Sequence, residues 1–304
     1  MDGETKKALL GTMRLPFLIL TPACVFLGYA CAVWTGADIN YLHLLIAFIG
    51  ATAAHVSVNA LNEYYDFRSG LDLSTQRTPF SGGSGALPSC PGKAHIALTT
   101  GMVSFVITGL VGVYFIYVWG WAILPLGLAG LLIIAAYTTF ITKTPLLCLV
   151  APGIGFGTLM VVGTSFALTG IYSLTSFAAS MVPFFLVSDL LLLNQFPDAE
   201  ADRKAGRRHL LIAAGEDVSA RVYAVFMVST YVTVFYGWLI GLFPPSALMA
   251  LVSIALAAPT IRGVLKYSDR LPKLVPYLGR NVAIVVLTPA LLAAGLLFGR
   301  WLGR

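Results

Sequence analysis

Residues 43–72 read HLLIAFIGATAAHVSVNALNEYYDFRSGLD, a long apolar run that passes without a break into amides, carboxylates and one arginine. The apolar part is long enough to cross a hydrocarbon layer, which takes about 20 residues at 1.5 Å rise each. Asn62 and Asp66 are four residues apart, so a helix stacks them on one face, with His55 and Asn59 deeper on that face. Gly70 marks the end of this helix and lets the chain turn so that Asp72 points back. A second place repeats the pattern: residues 194–208 read NQFPDAEADRKAGRR, again after an apolar run. Asn194, Asp198 and Asp202 form a stripe if the helix continues past Pro197, and membrane helices tolerate proline better than soluble ones.

The rest of the chain fits this reading. Of its 304 residues 58% are hydrophobic and 11% charged, and the mean hydropathy is +0.86. A soluble domain carries about 25% charged residues, so a soluble enzyme, a nucleic-acid-binding domain and a disordered chain are excluded. The fold class is all-α integral membrane. Nine apolar segments stand out, at roughly 15–35, 43–66, 95–118, 121–140, 146–169, 173–196, 219–242, 245–261 and 281–300, the eighth being the shortest. The first is too long for a signal-peptide core and is read as a retained span. With the N-terminus inside, every Lys and Arg except Arg300 and Arg304 falls in a cytoplasmic segment, as the positive-inside rule requires. The net charge of +6 is therefore a topology signal, not a nucleic-acid footprint. The basic stretch from Arg262 to Arg280 reads as an anionic-lipid contact. Cys24, Cys31, Cys90 and Cys148 show no metal or C-x-x-C spacing and read as reduced packing thiols.

Residues 1–304 form one polytopic domain with hydrophilic cytoplasmic cap segments at about 67–94 and 198–218. Both follow a helix ending in Asn and Asp, which suggests a weak internal repeat of four helices with a site between the halves. Glu63, Asp66 and Asp72 crowd the first place and Asp198, Glu200 and Asp202 the second. Carboxylates at a membrane helix end are costly unless they meet cations. Two converging clusters suit Mg2+, which takes one or two carboxylates and completes its octahedron with water and phosphate oxygens. Interleaved Arg and Lys bind the same phosphate. The pair thus implies a metal–diphosphate site.

These residues resemble the two aspartate-rich motifs of the UbiA superfamily of intramembrane aromatic prenyltransferases. Asn62, Asp66 and Asp72 match the first motif; Asn194, Asp198, Asp202, Arg203, Lys204 and Gly206 match the second. The resemblance implies nine transmembrane helices around a central cavity. The five residues between Asp66 and Asp72 and the Tyr-Tyr-Asp-Phe wording look like the branch that prenylates 1,4-dihydroxy-2-naphthoate in menaquinone biosynthesis. Where that branch often carries Gly-Leu-Gly-Glu, this chain has Ala-Pro-Gly153-Ile-Gly155-Phe. The implied reaction moves a polyprenyl group from polyprenyl diphosphate to an aromatic small-molecule acceptor, with 4-hydroxybenzoate, homogentisate, a tetrapyrrole and a lipid alcohol as alternatives. Asp66, Asp72, Asp198 and Asp202 would hold Mg2+. Arg68, Arg77, Lys143, Arg203 and Lys204 would assist with the leaving diphosphate, and Asn62 and Asn194 would orient the ligands. Tyr137 resembles a family tyrosine near the diphosphate. The glycine-rich stretch 81–86 lacks Gly-Lys-Ser/Thr, so it is no nucleotide P-loop; the resemblance makes it a cap over the site, with Arg77 reaching the phosphate. His55 could touch the acceptor ring or simply bond a neighbouring helix. Asp189 lies out of phase with the Asp198 stripe and reads as an interhelical hydrogen-bonding group.

The remaining partner is the lipid bilayer; no nucleic acid or protein partner is implied. The active site and N-terminus face the cytoplasm, in the cytoplasmic membrane of a bacterium or archaeon. A cation-coupled transporter is the competing class, but it should carry its charges at the bilayer midplane on broken helices, whereas these lie at cytoplasmic helix ends.

Overall fold

A computed structural model describes residues 2–75, 77–78 and 81–303. The described residues form no strand. In chain order the helices are α1 (Gly3–Thr12), α2 (Leu15–Trp34), α3 (Tyr41–Ser69), α4 (Pro91–Trp119), α5 (Trp121–Ala136), α6 (Pro145–Thr169), α7 (Leu174–Lys204), α8 (Leu210–Leu239), α9 (Pro245–Tyr267) and α10 (Leu271–Trp301). Among the described residues, eight of these are long and apolar enough to cross a membrane, which makes this an integral membrane protein. A further apolar helix, α5, is shorter. The short member is thus the fourth segment and not the eighth, which extends to Tyr267. Polar and β-branched residues, Tyr137-Thr-Thr-Phe-Ile-Thr-Lys143, stop α5 early.

At 1.5 Å per residue the 29 residues of α3 reach about 44 Å, well beyond the roughly 30 Å hydrocarbon layer. Its last turns, which hold Asn62 and Asp66, therefore stand at the interface. The same holds for α7, which runs unbroken through Pro183 and Pro197. Asn40 and Ser173 cap these two helices at their other ends.

The second hydrophilic segment, 198–218, is mostly not a loop. Helix α7 continues to Lys204, the chain breaks over residues 205–209, and α8 resumes at Leu210 with a kink at Gly215. Within the first segment the described parts are two single helical turns, Leu71–Ser74 and Ala86–Ser89, and the glycine-rich stretch between them; Gln76, Pro79 and Phe80 lie outside the described residues. Helix α1 packs on this cap, where Ala8, Leu87 and Ala97 form a small core with Tyr64 and Phe67.

The main apolar core runs between α2, α7, α8, α9 and α10, with α7 at its centre. Helices α6 and α7 approach closely because Gly153 and Gly157 face the backbone of Phe184 without a side chain between. Between these two glycines and beyond, Ile154–Val161 is wound as a π-helix, just after Pro152.

Candidate active site

One cavity of about 610 Å³ is lined by α2 to α7 and the connections among them, from Arg14 to His209. Helices α8 to α10 contribute nothing to it, so the site does not lie between two four-helix halves. Those three helices instead fill their inner faces with one another and with α2 and α7. The cavity wall is largely apolar, and the polar groups gather at the end where α3 and α7 terminate.

Asn62, Asp66, Asp72, Tyr137, Asn194, Asp198 and Asp202 all line this cavity. Two glycines deliver parts of the polar end. Gly70 ends α3 at φ +82°, and two residues later Asp72 is buried at 4% exposure. Gly206 ends α7 at φ +78°, with the Arg207 N–H donating to Asp202 O at 3.0 Å. That reversal carries Arg207 back over the site, while Arg203 and Lys204, one turn earlier, remain exposed.

Arg207 is the hub. Its Nη2 donates to Asp66 Oδ1 and its Nη1 to Asp202 Oδ1 at 3.0 Å. One guanidinium therefore joins a carboxylate of α3 to a carboxylate of α7. Burial works against its charge, but Asp66 and Asp202 outweigh burial and hold it protonated above the ordinary arginine range. His209 Nε2 lies 3.1 Å from Asp202 Oδ2. Arg14 also lines the cavity and donates from Nε to Glu63 Oε1 at 2.6 Å. Glu63 is wholly buried and accepts in addition from Ser84 N–H and Oγ, at 2.8 and 2.7 Å.

The other cations named from the sequence do not line the cavity. Arg68 and Lys143 are exposed, and Lys204 pairs with Glu200 at 2.9 Å, both side chains in solvent. Arg77 donates to the Asp72 carbonyl at 3.3 Å and lies against Gly85. Asn62 Nδ2 donates to Thr138 Oγ1 at 3.2 Å, beside Tyr137. Deeper in the cavity, His55 Nδ1 is 2.9 Å from Thr21 Oγ1, and its ring meets Phe156 edge-on at 4.5 Å between centroids. His55 therefore bonds a neighbouring helix and also lines the cavity. Asp189 is wholly buried outside the cavity lining, and neither carboxylate oxygen has a hydrogen-bond partner, so the interhelical bond expected of it is not formed.

Sequence reasoning gave no site role to Arg207, Arg14 or His209, and it grouped Glu63 with the clustered carboxylates without its bonds to Arg14 and Ser84. The one available signal was Gly206, a helix-ending glycine whose reversal points the next residue back along α7.

Two buried carboxylate oxygens facing the cavity have no hydrogen-bond partner, Asp72 Oδ2 and Asp198 Oδ1, and neither has Asn194 Oδ1. Burial, and then the charges of Glu63 and Asp66, push the Asp72 carboxyl up to about 7. Among the described residues no three His, Cys, Asp or Glu side chains close on a single metal position. Mg2+ does not require three, since one or two carboxylates with water and phosphate oxygens suffice. Unpartnered oxygens contributed from both clusters are the donor set such an ion uses, so the residues fit it.

Fold and site define an all-helical membrane enzyme whose apolar cavity has an acidic mouth clamped by arginine. The UbiA prenyltransferase family model matches residues 21–278, and the chain belongs to that family: it is a prenyltransferase. It is 29% identical over 221 residues to the 1,4-dihydroxy-2-naphthoate octaprenyltransferase of Bacillus subtilis (strain 168), covering 72% of this chain and 68% of that one. It is 26% identical over 304 residues to the enzyme of the same name from Escherichia coli (strain K12), covering 97% and 96%. Its fold matches the structure of a UbiA homolog from Archaeoglobus fulgidus bound to GPP and Mg2+, with a TM-score of 0.59 at 13% identity over 94% of this chain and 99% of that one.

Proposed function

We propose that this enzyme transfers a polyprenyl group from polyprenyl diphosphate to 1,4-dihydroxy-2-naphthoate, in a Mg2+-dependent reaction of menaquinone biosynthesis. The observation that carries the reading is the pair of unpartnered buried oxygens, Asp72 Oδ2 and Asp198 Oδ1, in one cavity with Arg207 and an apolar wall. The acceptor assignment is supported by the two similar bacterial enzymes and by the Asp66–Asp72 spacing.

Asp66, Asp72, Asp198 and Asp202 hold the metal, and bound Mg2+ supplies charge neutralisation for the departing diphosphate. Arg207 and Arg14 line the cavity and meet the phosphate oxygens directly. Arg68, Arg77, Lys143, Arg203 and Lys204 lie around the cavity mouth and attract the anion towards it rather than hold it. Asn62, held by Thr138 beside Tyr137, and Asn194, whose Oδ1 is unpartnered, face the bound groups from the same cavity wall. As the allylic C–O bond breaks, its electron pair leaves with the diphosphate, and the acceptor ring bonds to the allylic carbon. The ring becomes aromatic again by releasing what the attacked carbon carried, a proton from C–H or the carboxyl group as carbon dioxide. The apolar wall, with Phe156 and Leu159, keeps water from that carbon. His55 and Phe156 flank the space the acceptor ring would take. The site and N-terminus face the cytoplasm.

The test is turnover in liposomes with geranylgeranyl diphosphate and Mg2+, offering 1,4-dihydroxy-2-naphthoate, 4-hydroxybenzoate and homogentisate in parallel. Prenylated naphthoate, lost with a chelator, is the expected product. A product from another ring overturns the acceptor; prenyl diphosphate bound but no aromatic product points to a lipid alcohol.

A further inference from the structure

The glycine-rich loop before α4 does more than cover the cavity. Gly82, Gly83 and Gly85 take φ of +83°, +71° and +72°, a region that L side chains rarely adopt. A Cβ would also stand 2.8 Å from Thr75 at Gly82, 2.8 Å from Asp72 Oδ1 at Gly83 and 2.5 Å from the Arg77 guanidinium at Gly85. Only glycine permits this shape.

The shape turns peptide N–H groups onto carboxylates of two different helices, half-buried Asp198 and buried Glu63. Gly82 N–H donates to Asp198 Oδ2 on α7 at 3.0 Å. Ser84 N–H donates to Glu63 Oε1 on α3 at 2.8 Å. Residues 81–90 contain no Lys or Arg, so the backbone itself supplies the positive end of these contacts. Successive N–H groups in turn conformations form concavities that bind anions.

Ser81, Gly82 and Gly83 line the cavity. The two arginines assigned to the phosphate share their N–H groups with protein carboxylates, Arg207 with Asp66 and Asp202 and Arg14 with Glu63. A diphosphate entering between the acidic clusters needs further donors. Gly82 lines this space and donates its N–H onto a carboxylate whose other oxygen is unpartnered.

We propose that residues 81–85 form a backbone cradle for the diphosphate of the prenyl donor. Gly82 N–H, which here donates to Asp198, donates to a phosphate oxygen when the donor binds. The inference rests on the diphosphate reading above, and its test separates the two.

Cell-free synthesis of the full chain with [1-13C]serine and [15N]glycine leaves three Ser–Gly junctions, at 69–70, 81–82 and 84–85. Carbonyl-filtered amide spectra then contain only the Gly70, Gly82 and Gly85 signals. Ser69→Ala and Ser84→Ala remove two of them and assign the third. Binding of inorganic pyrophosphate with Mg2+ is measured separately by calorimetry. The expected result is a downfield shift of the Gly82 amide proton beyond its position with Mg2+ alone, while Gly70, bonded to Phe67 O, stays in place. Pyrophosphate that binds without moving Gly82 overturns the cradle and leaves prenyl transfer standing. If neither pyrophosphate nor geranylgeranyl diphosphate binds with Mg2+, both readings fall.

Discussion

At the scale of single residues, Arg207 and the four aspartates carry the account. Exchanging Asp66 or Asp198 for Asn keeps the shape and removes the charge, so kcat should fall by about 10²–10³-fold in protein that still purifies folded. Near-normal turnover would remove these residues from the metal site. Arg207→Ala leaves Asp66 and Asp202 buried beside each other with no cation. Breaking such a pair costs roughly 3–5 kcal/mol, to be seen as a lower Tm, and Arg207→Lys should recover part of it. The exposed pair Arg203 and Lys204 should behave differently. Replacing both by Ala should raise KM for the prenyl diphosphate a few-fold at low salt and leave it unchanged at high salt, because exposed charges act over a screened distance. An equal loss at both ionic strengths would mean that they touch the substrate.

Secondary-structure elements decide which of these side chains meet. Helices α3 and α7 are each longer than the membrane, and each ends at a positive-φ glycine that folds the next polar residues back: Asp72 after Gly70, Arg207 after Gly206. A Cβ at either glycine would have open space around it, so Gly70→Ala and Gly206→Ala act only through backbone strain, about 1–2 kcal/mol. Gly70→Ala should therefore lower activity more than stability, by displacing Asp72. Gly153→Ala is the contrasting case. Its Cβ would stand 2.3 Å from Phe184 O, and overpacking α6 against α7 should lower Tm by the equivalent of about 1–3 kcal/mol. If Gly70→Ala loses no more activity than Gly153→Ala does for the same fall in Tm, the distinction between a site-shaping and a packing glycine fails.

Much of this was legible in the sequence. Apolar runs of membrane length marked the spans, because hydropathy acts residue by residue. Four-residue spacing put Asn62 with Asp66 and Asn194 with Asp198 and Asp202, because helical periodicity is local. The cations were not legible in the same way. Arg203 and Lys204 belong to the matching motif but sit in the last exposed turn, whereas Arg207 reaches the site only through a chain reversal. Arg14 and Glu63 meet across 49 residues, a contact that no local pattern encodes. The early end of α5 and the helical course of 198–204 depended on a few polar residues and one tolerated proline.

On the scale of the whole molecule, α8, α9 and α10 form a solid core with α2 and α7, and the cavity belongs to α2 through α7. The topology proposed from the charges has a direct check. All four native cysteines are buried, so a cysteine placed at exposed Glu200 or at Tyr172 reports with little background. An impermeant maleimide applied to intact cells should label Tyr172→Cys and spare Glu200→Cys; the reverse pattern would invert the protein. The central claim is that carboxylates from α3 and α7 together make a metal–diphosphate site. Its most direct test is calorimetric binding of geranylgeranyl diphosphate to the wild type, with Mg2+ and with a chelator, and to the Asp66→Asn and Asp198→Asn variants. Binding that requires Mg2+ and is lost in each variant is the expected result. Equal affinity with chelator, or in both variants, would contradict it.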